Sequence, residues 1–551
     1  MTPSKTRLQV MWNRLLAVVE EQGQALIRAA FSPIVRESGD ISAGIFDIRG
    51  RMLAQAVTGT PGHINTMAEA VINLMKRFPT DAMNPGDIYM TNDPWLASGH
   101  LNDFLLLQPA FHKGRVVGFT SCTSHLADLG GKGMGPEGSD VFDEGLLIPP
   151  CKLVSEGELN VFLMEVVAAN SREPIANEGD IYALIACCET GVARLTGMMD
   201  EFGLDDLNAL SDYIIETSRQ GTLDAIDEVP KGTYHSILQV DGYDAPITLK
   251  AALTVADDHI LLDFDGTSGC SDKGITVPLN YATAYSVFAL RCIIGADIPN
   301  NAGSLDPFRV TGPAGCILNA QPPSPVAMRH SIGQMTPDLV YGCLSQALPT
   351  RVPAEGASCL YDVPLRHTPE AARDGGQTFA LELVYNGGTG ARPASDGLSA
   401  TAFPSGVWGS QIEPTEATAP IRINRRELRT DSGGAGQYRG GLGQHIEMVS
   451  SSGEDFLVFL SVERVRFAAQ GRHGGRPGAK GRIRIGADGK DLPSKGEFRV
   501  PGDTPLILET PGGGGFGDPN ARCQDALARD VDHGLISPEH AQKHYGRKDS
   551  T

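Results

Sequence analysis

The stretch Asn92-Asp93-Pro94-Trp95-Leu96-Ala97-Ser98-Gly99-His100-Leu101-Asn102-Asp103 leads into two apolar segments and then Ser124-His125-Leu126-Ala127-Asp128. An H-x-x-D motif therefore occurs twice, at 100–103 and 125–128. Phe104-Leu105-Leu106-Leu107 and Val116-Val117-Gly118-Phe119 flank the polar turn His112-Lys113-Gly114-Arg115, which is the pattern of a β-hairpin. Such a hairpin brings His100 and Asp103, at the start of its first strand, close to His125, just past the end of its second. Two imidazoles and a carboxylate converging there could hold a divalent metal and leave positions open for water or substrate. A single H-x-x-D more often makes a surface hydrogen bond. Two of them at opposite ends of one hairpin bring the metal reading level with that one.

Working outward, 551 residues exceed one ordinary core and predict two or three domains. The pattern is α+β, mixed α/β: a metal-site α/β domain over 1–230, a mixed α/β middle domain over 231–375, and a β-rich, glycine-rich C-terminal domain over 376–551 that ends in short helices. Hydrophobic content of 41% and charged content of 20% are those of a folded chain. A net charge of -20 argues against nucleic acid or an anionic membrane surface as partner. Ten scattered cysteines with no C-x-x-C, two of them vicinal at Cys187-Cys188, point to a reducing, cytoplasmic setting. Arg7, Arg14, Glu20 and Glu21 interrupt any targeting segment at the N-terminus, and no run is expected to span a bilayer.

In chain order, Leu8, Met11, Leu15, Val18, Val19, Leu26 and Ile27 recur at helical spacing. Asp40 sits in a polar loop before a hairpin that turns at Arg49-Gly50 and is, taken alone, a turn residue or a cap. Further helices are expected over 64–78, 160–169, 180–202, 205–226, 281–294 and up to residue 348, the last with Thr336 as N-cap and Pro337 at its first position. Residues 232–264 read as an antiparallel meander. Leu129-Gly130-Gly131-Lys132-Gly133-Met134-Gly135 lacks the spacing of a phosphate loop. The glycine runs at 386–393, 431–436 and 511–519 read as turn and bulge chemistry rather than a nucleotide cradle. A helix is expected over 519–531, capped by Asp518 with Pro519 first, and a short one from Ser537 to Tyr545.

These segments resemble the hydantoinase B/oxoprolinase family nearly end to end. The matching stretches are Ser32-Pro33 to Asp40, Gly50-Arg51-Met52-Leu53-Ala54-Gln55, Asn92-Asp93-Pro94 with His100 and Asp103, Glu144-Gly145 to Lys152, 431–443 and 510–519. The resemblance implies a B-type subunit of an ATP-dependent cyclic amide hydrolase acting on hydantoins, 5-oxoproline or lactams. Its partner would be a hydantoinase A-type subunit with an actin-like ATP fold, in a hetero-oligomer. That subunit would phosphorylate the amide oxygen, and this chain would open the ring with a metal-bound water. The resemblance assigns the metal, zinc or manganese, to His100, Asp103 and His125, and places Asp40 beside it as a general base. Asp93 and Asp128 are spare carboxylates that could orient the imidazoles from behind. One departure is Thr123-Ser124-His125, where many members carry an arginine shortly before the histidine. Neither a Walker-type loop nor a D-x-G-G-T pattern is present, which leaves ATP to the partner. Three alternatives stay open: a subunit of a ketone carboxylase of the acetone/acetophenone type, a non-catalytic structural subunit, and, from the two-His-one-carboxylate set alone, a non-haem iron oxygenase.

Overall fold

In the computed structural model, residues 4–57 and 59–546 are described. The predicted hairpin is the centre of a seven-stranded antiparallel sheet. Its strands are β1 (Ile41–Asp47), β2 (Met52–Gln55), β3 (Ile88–Thr91), β4 (Asp103–His112), β5 (Arg115–His125), β6 (Cys151–Ser155) and β7 (Glu158–Leu159), in the order β2-β1-β5-β4-β3-β6-β7. The strands β4 and β5 run longer than the apolar segments alone suggest. Their turn is only Lys113-Gly114, with φ of 51° and 79°, the left-handed pair of a two-residue hairpin turn. A β-bulge between Ala110 and Phe111 shifts the pairing by one residue beyond that turn, and the shifted register puts Asp103 directly opposite His125.

Phe104-Leu105-Leu106-Leu107 is apolar without alternation because both faces of the sheet are covered. Phe104 and Leu106 pack with the Lys5–Ala29 and Pro174–Phe202 helices, while Leu105 and Leu107 pack with the Pro61–Arg77 helix. The Pro174–Phe202 helix starts six residues before the expected 180. It is also long and apolar enough, by length and composition, to cross a membrane, which corrects the expectation that no run reaches that length. In the fold it packs against the Lys5–Ala29 helix, β4 and β5, and it buries Asn177 and Asp180. Its apolar character therefore serves a core contact.

The second region carries a four-stranded sheet of β8 (Gly232–Val240), β9 (Ile247–Val255), β10 (Ile260–Asp263) and β11 (Phe308–Thr311). The meander of β8 to β10 is antiparallel as expected, and β11 adds in parallel. The Leu279–Ile293 and Thr336–Ala347 helices share its core. Thr336 is not the cap of the latter helix. It is already helical, its hydroxyl donates to Gly333 O (2.8 Å), and Met335 holds the capping position, so Pro337 falls one place later than expected.

Towards the C-terminus two four-stranded sheets share one apolar core. The strands that matter for the site are β12 (Tyr361–His367), which precedes residue 375, and its antiparallel neighbour β13 (Ala380–Tyr385). The helix expected over 519–531 is broken in two, a Pro519–Ala521 turn of 3-10 helix and a Gln524–Asp532 helix. Arg522 leaves the helical path because its buried guanidinium bonds Asp396 and Asp530. Asp518 caps the first piece, and Ser537 caps the Pro538–Tyr545 helix.

Candidate metal centre

His100 lies in the turn that feeds β4, and two asparagines fix that turn. Asn92 donates to Leu101 O (2.8 Å) and Leu146 O (2.9 Å), and Asn102 donates to Leu126 O (2.9 Å). Gly99 (φ 87°) is required there, since a Cβ would stand 2.8 Å from the Arg329 side chain. His100 Nε2 and His125 Nδ1 then lie 2.7 and 3.3 Å from the same oxygen, Asp103 Oδ1. The three ligating atoms fall within 4.8 Å of one another, and all three residues are buried.

The protonation of His100 decides what this cluster wants. Its Nδ1 lies 3.0 Å from the carbonyl of Ala327, which can only accept, so Nδ1 carries the hydrogen. Burial and the nearby Arg329 push His100 down to about 4, so near pH 7 the ring is neutral. Nε2 therefore presents a lone pair towards an anionic oxygen 2.7 Å away. Two acceptors aimed at each other form a donor set that a divalent cation satisfies, and an ion there would displace the proton that Glu382 and Asp103 hold on the adjacent His125. The residues present fit such an ion.

Burial opposes ionisation of Asp103, but His100, His63 and Arg329 outweigh it and hold the carboxyl well below its usual range. The other oxygen, Oδ2, is gripped by Arg329 Nη2 (2.5 Å) and His63 Nε2 (3.0 Å), which turns Oδ1 to the cluster. His125 Nε2 lies 3.0 Å from Glu382 Oε2 on β13. Burial alone would lower His125, yet Glu382 and Asp103 hold it well above the ordinary imidazole value.

Asp40 closes the cleft from the end of β1. Its carbonyl accepts from His125 N (3.2 Å), and its Oδ1 accepts from Thr60 Oγ1 (3.0 Å) and stands 3.6 Å from His63 Nε2. Asp40, His63, His100 and His125 line one cleft with Tyr281, Arg329, His330, Asp362 and Glu382, so the residues singled out in the sequence, Asp40, His100, Asp103 and His125, meet in one place. Asp93 and Asp128 do not orient the imidazoles, contrary to expectation. Asp93 accepts from Trp95 N (2.9 Å) within its own turn, and Asp128 is tied to Arg172 (2.6 Å). Ala327 O and the carboxylates of Asp103 and Glu382 take that place.

Sequence reasoning missed His63, Arg329, His330, Asp362 and Glu382. His63 had one readable signal, an imidazole one residue before the apolar stripe of its helix. Arg329-His330 had another, a polar pair between Met328 and Ile332. Neither signal says which carboxylate the group will meet. Arg329, 226 positions downstream, brings a buried cation to Asp103.

The family model described as Hydantoinase B/oxoprolinase matches residues 4–519. The B-type subunit of a putative D-/L-hydantoinase from a Pseudomonas species (strain NS671) is 28% identical, over 98% of this chain and 94% of that protein. The crystal structure of an ATP-dependent caprolactamase from Pseudomonas jessenii superposes with a TM-score of 0.90 at 26% identity, covering 100% of this chain and 98% of that one. A nucleotide-free acetone carboxylase shares the fold, with a TM-score of 0.87 at 20% identity over 99% of this chain and 81% of the other.

Proposed function

The chain belongs to the hydantoinase B/oxoprolinase family, and from that premise we propose that it is the ring-opening B-type subunit of an ATP-dependent cyclic amide hydrolase. The observation that carries this is the convergence of His100 Nε2, Asp103 Oδ1 and His125 Nδ1 beside Asp40 in one cleft. A zinc or manganese ion held by these three residues would supply Lewis acidity, which makes water at the site a stronger acid.

The side chains supply the rest. Asp40 accepts the proton of the attacking water as general base, with Thr60 and His63 fixing its carboxylate. Arg329 and His63 keep Asp103 ionised and correctly turned. On the opposite wall, His330 Nε2 and Asp362 Oδ1 are buried without a hydrogen-bond partner among the described residues. Leaving such atoms unpaired costs about 1–3 kcal/mol each, so this wall is suited to the N–H and leaving nitrogen of a ring amide. Tyr281, Val384 and Val407 line the remaining space for the ring carbons and keep bulk water out.

An unstrained amide resists water, and this sequence carries no phosphate-binding motif, so activation by ATP falls to an A-type partner subunit in a hetero-oligomer. The test is reconstitution. The chain mixed with its partner should release phosphate from ATP only when a hydantoin, 5-oxoproline or a lactam is present, and should yield the opened amino acid. Steady ring opening by the isolated chain without ATP would overturn this division of labour. The shared acetone carboxylase fold favours one second reading, joining an activated ketone to bicarbonate at the same cleft. A carboxylated ketone product in the same assay selects it.

A further inference from the structure

We infer that Glu144 is a positioning residue: it presents His100 to the metal by holding the backbone of Val326 and Ala327. This rests on the metal reading above and concerns a residue that makes no contact with the three metal-site residues.

Glu144 ends the short Val141–Glu144 helix and is 3% exposed. Its Oε1 accepts the N–H of Val326 (2.7 Å) and of Ala327 (2.8 Å), across 182 and 183 residues of sequence. The carbonyl of Ala327 meets His100 Nδ1 at 3.0 Å and so selects the ring tautomer whose Nε2 faces Asp103. The same peptide unit is anchored at its nitrogen, where Met328 N donates to Gly274 O (2.7 Å). Glu144 holds the two units before it, and two residues later Arg329 reaches Asp103. One carboxyl thus braces the segment that sets both His100 and Asp103.

The space around it is shaped for that group. A Cβ on Gly138 would stand 3.0 Å from Glu144 Cγ, and one on Gly274 would stand 3.1 Å from Oε1. Burial, with Asp140 and Asp143 nearby, pushes the Glu144 carboxyl up to about 8 against the two backbone bonds. Near pH 7 much of it is the neutral acid, for which glutamine is the closest substitute. Aspartate keeps the acid but is one methylene too short to reach both N–H groups.

Two substitutions separate reach from charge. Full-length wild type, Glu144→Gln and Glu144→Asp are titrated with zinc against a chromophoric chelator, and the His100 imidazole 15N shifts are read in the metal-free chains. Glu144→Gln should bind zinc within about threefold of wild type and keep the Nδ1–H tautomer. Glu144→Asp should bind about 10-fold more weakly or worse, with the tautomers mixed. Wild-type affinity and tautomer in Glu144→Asp would overturn the role, and so would equal weakening in both variants. A Glu144→Asp chain that fails to fold would mark Glu144 as a general support and overturn it too. A wild type that binds no zinc overturns the metal reading instead, and the tautomer comparison then decides Glu144 by itself.

Discussion

The cleft around Asp103 and the glycine layer at 386–393, 431–443 and 511–517 are built by opposite means. The cleft is made of side chains drawn from distant parts of the chain: His63, His100, Asp103 and His125 from the first sheet and its helix, Arg329 and His330 from the middle region, and Asp362 and Glu382 from β12 and β13. His63 Nδ1, His330 Nε2 and Asp362 Oδ1 there have no hydrogen-bond partner among the described residues. The glycine layer is held chiefly by backbone. Gly388 N donates to Pro511 O (3.0 Å), Ala391 N to Gly514 O (2.9 Å), Gly434 N to Gly513 O (2.8 Å) and Gly441 N to Thr389 O (2.9 Å), so neighbouring runs satisfy one another. A Cβ on Gly388 would collide with the carbonyl of Gly441, and one on Gly513 with that of Thr389. The layer begins directly after β13, the strand that carries Glu382. A satisfied, close-packed frame thus holds one wall of an unsatisfied cleft, which is where a protein that binds a polar ligand is expected to leave its atoms unpaired.

The comparison breaks if the cleft proves structural or the layer proves soft. The largest effect should come from His100→Ala and His125→Ala. Each should drop bound divalent metal from about one ion per chain to near none and abolish ring opening, with the fold retained. Elemental analysis and circular dichroism check it, and full metal content in both variants would refute the site. Asp40→Asn should keep its metal yet slow ring opening by about 10²–10⁴-fold in the reconstituted complex. Equal rates would remove Asp40 from the chemistry.

In the layer, Gly388→Ala should destabilise the chain by about 3 kcal/mol or more, since neither backbone can yield, while metal content per folded chain stays near one. Urea denaturation measures it. Glu144 gives a pH signature. Its folded value, about 8, lies above the unfolded 4.5, so its contribution is fully present below pH 4.5 and is lost as pH rises through about 8. Stability should therefore fall less steeply between pH 5 and 8 in Glu144→Gln than in wild type. The smallest effect is the control: Gly197, mid-helix with open space at its Cβ position, should gain up to about 1 kcal/mol on substitution by alanine.

Local signals determined what the sequence could show by itself. The apolar segments and the Lys113-Gly114 turn close β4 on β5 and bring Asp103 and His125 to the open end of one hairpin, while the bulge at Ala110/Phe111, which no local signal announced, sets them directly opposite. Helical spacing gave the Lys5–Ala29 helix, and Ser537-Pro538 gave the start of the last one. These features depend on residues a few positions apart, or on one hairpin closing on itself. Tertiary structure decided the rest. Arg329 meets Asp103 across 226 residues, and Glu382 meets His125 only because β13 docks beside the first sheet. Arg522 breaks an expected helix to reach Asp396, and Thr336 gives up its cap because its hydroxyl turns back to Gly333. A charged side chain in a sequence shows that it needs a partner once buried. Which partner it finds depends on which elements pack together, and no local period encodes that.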